Sequence, residues 1–274
     1  MATSTYAPAP APPAQPAEGR MWDRALAYWL TSYKRVWRGS LFSGFLSPLL
    51  FLAAMGFGLG TLVNGDGGID GVAYVSFIAP GLLAAQAMQT GVFESTYPVM
   101  AAIKWQRQYH AMLAAPLGIT DVLLGHLAFV LMRVTITSAA FLLVASLLGA
   151  IESWWAVLAL PVAVLCGMAH AAPVFAFSAL QENDASGGFN ALFRFGVMPM
   201  FLFSGTFFPI DQLPGFLQGV AWATPVWHAV DLCRSLSLGT ATWDGAAVHV
   251  GYLLLWVAAG FWIAQRTFRR RLVL

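Results

Sequence analysis

Charge is what this chain has least of. Only 9% of its 274 residues are Asp, Glu, Lys or Arg, against 59% hydrophobic. Soluble domains carry about 25% charged residues. So little charge cannot cover a water-facing surface, which excludes a soluble globular protein and leaves an integral membrane one. Lysine occurs only at Lys34 and Lys104, and neither follows a glycine. The phosphate loop G-x-x-x-x-G-K-[ST] is therefore missing, and with it that route to holding ATP. H-E-x-x-H is also missing, which removes the usual zinc-protease helix. The two cysteines, Cys166 and Cys233, have no metal-ligand partner at useful spacing and are expected to be packing residues. Acidic residues stand in loops or at span ends, where they give little support to proton or sodium coupling. There is no internal repeat of the kind that many secondary transporters carry.

What is present divides into a short tail and one membrane domain. Residues 1–19 are Ala/Pro-rich and are expected to be disordered; no basic start and short apolar core mark a cleaved signal peptide. The domain spans 20–274. It starts with Trp22, Leu26, Trp29, Leu30, Tyr33 and Trp37 on one helical face. Arg24, Lys34, Arg35 and Arg38 are their charged counterpart. That pattern predicts a helix lying in the headgroup layer. Six spans are expected to follow, near 44–63, 73–93, 122–148, 154–180, 193–208 and 246–265. With the N-terminus inside, twelve Lys and Arg fall in inner segments and only Arg234 in an outer one, with Arg133 inside a span. Both termini are therefore expected in the cytoplasm of a prokaryotic cell, in a multi-pass protein of the inner membrane.

Residues 203–239 are apolar enough for a membrane but too broken to cross it. Pro209, Pro214 and Pro225 divide the run. Asp211 is expected to cap a short helix starting near Pro214, Thr224 to cap a second at Pro225, and Gly239 to stop it. Irregular backbone at membrane depth must be buried in protein or line a wet cavity. The prediction is an outer re-entrant helical hairpin, hinged at 223–225, between spans five and six.

The strings SGTFFPIDQLP and TPVWHAVDLCRSLSLG resemble the C-terminal signature of type 2 ABC-transporter membrane subunits. Ser204, Gly205, Phe207, Phe208, Pro209, Leu213, Pro214, Pro225, His228, Asp231, Leu232, Arg234 and Gly239 match it in order. Residues 93–126 resemble the branch that includes nodulation-factor and anthracycline exporters. The resemblance implies an ABC exporter permease without its own nucleotide site, and no cofactor on this chain. ATP and Mg would sit on a separate ATPase subunit, present in two copies. A second permease copy, identical or related, would complete the assembly. Membrane lipids are the other expected partners, and nucleic acid is not one. The branch implies an amphiphilic or hydrophobic cargo: a lipid, lipo-oligosaccharide or drug.

The resemblance places the family's coupling helix at 94–121. There Trp105, Tyr109 and Met112 are expected on one face, with Lys104, Arg107 and Gln108 toward water, so that the aromatic ridge enters a groove on the ATPase. Inside the spans, Arg133 is expected about 16 Å deep at 1.5 Å per residue. It either pairs with Glu94, entering from the same side, or snorkels to headgroups. His170 is more simply a hydrogen-bonded packing residue. The competing functions are a secondary transporter, a membrane assembly factor and an intramembrane enzyme. The last would need Ser204 and His170 as nucleophile and base, with no oxyanion hole beside them.

Overall fold

The computed structural model describes residues 21–65, 67–69, 71–181 and 186–272. The tail 1–19 lies outside them. Among the described residues the fold is all helical, with no strand. The first helix, α1, is Trp22–Tyr33. After a turn at 34–36, α2 (Trp37–Ala53) runs through a π-helical turn, Ala54–Leu59, into α3 (Gly60–Gly65). Next come α4 (Tyr74–Ser95), α5 (Tyr97–Met100), a second π turn at Ala101–Trp105 and α6 (Gln108–Leu113). The long α7 is Ile119–Leu147. A 3-10 turn, Trp154–Leu158, leads into α8 (Ala159–Leu180). Then α9 (Ser186–Ala191), a third π turn (Leu192–Val197) and α10 (Met198–Phe203) form one continuous rod. After a 3-10 turn at Ile210–Gln212, α11 (Gly215–Trp222), α12 (Pro225–Leu238) and α13 (Trp243–Leu272) complete the chain.

Local chemistry sets several of these ends. The Gly118 N–H donates to Asp121 Oδ2 at 2.9 Å, satisfying a free donor where α7 starts. Asn64 Oδ1 does the same for the Tyr74 N–H at the start of α4, at 2.9 Å. The Asp211 expectation is corrected: Pro214 occupies the cap of α11 without a side-chain bond, and Asp211 lies in the 3-10 turn before it. There the Gln218 amide donates instead to the carbonyls of Asp211 and Leu213.

At the centre, α8 packs against α4, α7, α12 and α13. In lipid, helices gain nothing by hiding apolar surface from one another, so close backbone approach has to hold them. Glycines provide it. A Cβ on Gly91 of α4 would lie 2.3 Å from the Gly167 carbonyl oxygen of α8. One on Gly260 of α13 would lie 2.5 Å from the Pro173 ring. Buried alanines, such as Ala84, Ala87, Ala163 and Ala171, fill the rest of these seams.

By length and composition, Ile119–Leu147, Trp154–Leu180 and Trp243–Leu272 are able to cross a membrane. The other expected spans correspond to helical rods at 37–65, 74–95 and 186–203. The fifth needs correcting, since its helix starts seven residues early and ends at Phe203. Residues 204–209 are a loop whose inner part, Ser204 to Thr206, is buried in protein.

Candidate functional site

Three places stand out for unusual backbone or for polar chemistry between helices. The first is the connector between α4 and α7. Thr96, at ψ −98°, breaks the helix after α4. The π turn then carries the chain to Gln106, and Arg107 reverses it at φ 49°, a left-handed value unusual outside glycine. The result is an exposed tip, Trp105 to Arg107, with Trp105 61% accessible and Lys104 half-buried at its base.

The expected aromatic ridge is not there. Trp105 and Tyr109 belong to different helices, and Arg107 breaks the continuity that would have aligned them. Tyr109 and Met112 point inward and are buried. The Tyr109 hydroxyl is hydrogen-bonded to His126 Nδ1 of α7, and burial pushes the phenol's pKa up. His126 stacks on Trp29 of α1 with ring centroids 4.0 Å apart, and Phe175 and Phe268 border the cluster.

This cluster also corrects the first helix. Trp22 to Trp37 is not one helix: α1 stops at Tyr33 and Trp37 starts α2. Its apolar face meets protein, with Ala25 on Gly125 and Trp29 buried on His126. Trp22 and Trp37 stay exposed, as do Lys34, Arg35 and Arg38. Asp121 fastens the start of α1, accepting the Met21 N–H at 2.8 Å with its second oxygen. Both Asp121 and His126 escaped the sequence reading. The Gly118–Asp121 spacing is the signal that marks Asp121 as a helix-start residue.

The second place is Arg133. Its Nε and Nη2 are each 2.9 Å from Glu94 Oε1, and Nη1 donates to Tyr33 Oη at 3.0 Å. Glu94 is in the last turn of α4 and Tyr33 ends α1, so the pair stands at the end of both helices. α1 covers part of the turns of α7 that precede Arg133. His170 bonds back to the Cys166 carbonyl at 2.8 Å, the packing role expected of it.

The third place is the stretch 204–239. Here α11 and α12 meet at Ala223–Thr224, and Thr224 Oγ1 accepts the Trp227 N–H at 3.3 Å behind Pro225. Gly239, at φ 74°, ends α12 in the left-handed conformation that a side chain would strain. Between Phe203 and Pro209, the loop buries Ser204, Gly205 and Thr206. Arg234 of α12 clamps it, donating to the Gly205 carbonyl at 2.6 Å and the Phe77 carbonyl of α4 at 3.2 Å. Its guanidinium lies 3.8 Å from the Phe77 ring centroid. Gly81 leaves room for the clamp, since a Cβ there would sit 3.0 Å from the Thr206 carbonyl oxygen. Pro209 and Pro214 bracket the 3-10 turn that follows.

Beside the hinge, His228, His249 and Asp231 form a short polar chain. His249 Nε2 is 3.2 Å from Asp231 Oδ2, and the two Nδ1 atoms are 2.9 Å apart. A carboxylate only accepts, so the His249 Nε2–H donates to Asp231. That bond holds the half-exposed Asp231 carboxyl below its ordinary range. Burial lowers the pKa of His228. Tyr252 stacks on His228 and donates to the Ala223 carbonyl at 2.7 Å, tying α13 to the hinge. His249 and Tyr252 lie in the sixth expected span, where sequence alone gave no reason to single them out. Among the described residues, no three His, Cys, Asp or Glu side chains converge as a metal site would require.

The charge-poor helices, the glycine seams and the family signature arranged as one clamp define a membrane-embedded transport subunit. The family described as ABC-2 type transporter matches residues 24–238, and the chain belongs to that family. It is similar to Nodulation protein J of Rhizobium meliloti (strain 1021), with 33% identity over 264 residues, covering 95% of this chain and 97% of the relative. Nodulation protein J of Rhizobium leguminosarum bv. viciae is 32% identical over 263 residues, covering 94% and 97%. These relatives place the chain beside the nodulation-protein branch of the family.

Proposed function

We propose that this permease is the membrane half of an ATP-driven exporter, with a separate ATPase subunit docking at the exposed connector tip. In this reading six rods cross the membrane, both termini face the cytoplasm, and 204–239 re-enters from the outside. Two ATPase copies bind two permease copies, and ATP and Mg stay on the ATPase. The cargo is an amphiphile or hydrophobic molecule that moves between the permease copies by alternating access. The main support is the connector itself. An exposed Trp105 beside Arg107 on a left-handed turn is the type of side-chain pair that concentrates docking energy. Buried Tyr109 anchors its base to α7 and α1, so a push on the tip reaches the helices directly.

The test is co-purification with the ATPase subunit, together with substrate-stimulated ATP hydrolysis. Trp105→Ala is expected to leave the permease folded but weaken ATPase binding by about thirtyfold, the cost of a lost hot-spot anchor. Tyr109→Ala should instead lower the permease's own thermal stability, because its ring fills the core. If Trp105→Ala retains both binding and stimulated hydrolysis, the docking site is elsewhere.

A further inference from the structure

At the turn between α1 and α2 the chain leaves an open groove of about 550 Å³. Ala27, Leu30 and Thr31 of α1 form one wall, Ile136 of α7 the other, and Tyr33, Lys34 and Trp37 close the end where α2 begins. The groove is apolar along its length and cationic at that end. Lys34, Arg35 and Arg38 are all exposed there, and Arg38 lies 5.7 Å from the centroid of the Trp37 ring. Among the described residues, no carboxylate pairs with any of the three. Tyr33 also accepts from Arg133, whose own charge is met by Glu94.

That combination suits one kind of occupant. Interfacial aromatics mark the headgroup level of a bilayer, and Trp22, Tyr28 and Trp37 are exposed along this part of the chain. Unpaired cations beside an apolar groove at that level complement a phosphate above fatty chains. We propose that the groove seats one anionic phospholipid, with its phosphate between Lys34 and Arg38 and its upper acyl chain along Leu30 and Ile136. The lipid acts as a wedge that fixes the angle between α1 and α2. The inference needs only that the chain is embedded in a membrane. It does not depend on the ATPase docking at Trp105, so either can fail without the other.

The probe is phosphatidylglycerol. The permease is placed in nanodiscs of phosphatidylcholine, alone or mixed with phosphatidylglycerol. Thermal stability is followed, and lipid retained after transfer to detergent is counted by native mass spectrometry. The wild type should be more stable with phosphatidylglycerol and keep one copy per chain. Lys34→Gln with Arg38→Gln should weaken retention by about 25-fold, taking about fivefold per cation at a membrane surface. Thr31→Trp, which fills the groove and leaves the charges in place, should abolish retention too. Arg24→Gln with Arg270→Gln removes the same charge elsewhere and should change little. Stability in phosphatidylcholine alone should match the wild type in every variant, which separates lipid loss from misfolding. The proposal is overturned if both charge pairs have equal effect, if Thr31→Trp retains the lipid, or if the wild type does not distinguish the two lipids.

Discussion

Arg133 and Arg234 are both wedged between helices, and they are satisfied in opposite ways. Arg133 meets a side chain, the Glu94 carboxylate, with a tyrosine hydroxyl beside it. Arg234 meets backbone, the carbonyls of Gly205 and Phe77, and covers the Phe77 ring. The first arrangement is a contact between two removable groups. The second completes a stretch of chain that has no helix of its own to absorb its carbonyls. A buried loop must find donors for its backbone somewhere, and here one guanidinium spans from the loop to α4. The ion pair should therefore be replaceable as a unit, and the clamp should not.

The largest effect is expected at the clamp. Arg234→Leu removes two charge-assisted bonds to carbonyls and should cost about 3 kcal/mol or more. The readouts are a fall in thermal melting temperature and new protease sensitivity near 204–209. Arg234→Lys should rescue little, because an ammonium lacks the planar fork that reaches two carbonyls at once. Restoration by lysine would show that charge alone suffices and would dissolve the contrast.

The ion pair comes next. Glu94→Leu or Arg133→Leu alone should cost about 2 kcal/mol, below the value for a fully buried pair because both side chains keep some solvent contact. The double leucine variant should cost about 1 kcal/mol, half the loss of either single one, giving a coupling energy of about 3 kcal/mol in a double-mutant cycle. Additive losses would mean that Arg133, like Arg234, works through other groups.

The smallest effect is expected at the hinge cap. Thr224→Ala loses the bond from the Trp227 N–H and the 3.2 Å contact with Ser204 Oγ, for about 1 kcal/mol. A loss as large as that of Arg234→Leu would make the cap, not the guanidinium, the main fastening of the loop.

What the sequence reveals follows the same division. The hinge at 223–225 was legible because proline, an N-cap threonine and a terminal glycine are local signals. The Arg133–Glu94 pair was legible because so few charges compete for partners. The connector was not, because a left-handed arginine leaves no mark in the sequence, and a π turn shifts the helical register by one residue. The aromatic face of α1 was legible as a face but not as to what it meets, since Trp29 suits lipid and protein equally. The loop at 204–208 reads as the end of a span because Phe207 and Phe208 prolong the apolar run before it, although both are half-buried in a loop.

The carboxylate of Asp121 receives the Met21 N–H from a hundred positions earlier in the chain. At about 5–20 residues per second of synthesis, that partner is made roughly 5–20 s after the residue it holds. Trp29 waits as long for His126. Through that interval α1 exists without the surface that later covers it, and its tryptophans have only the membrane face to rest on. α1 is thus docked only when the start of α7 arrives, and any delay in placing α7 leaves it exposed for longer.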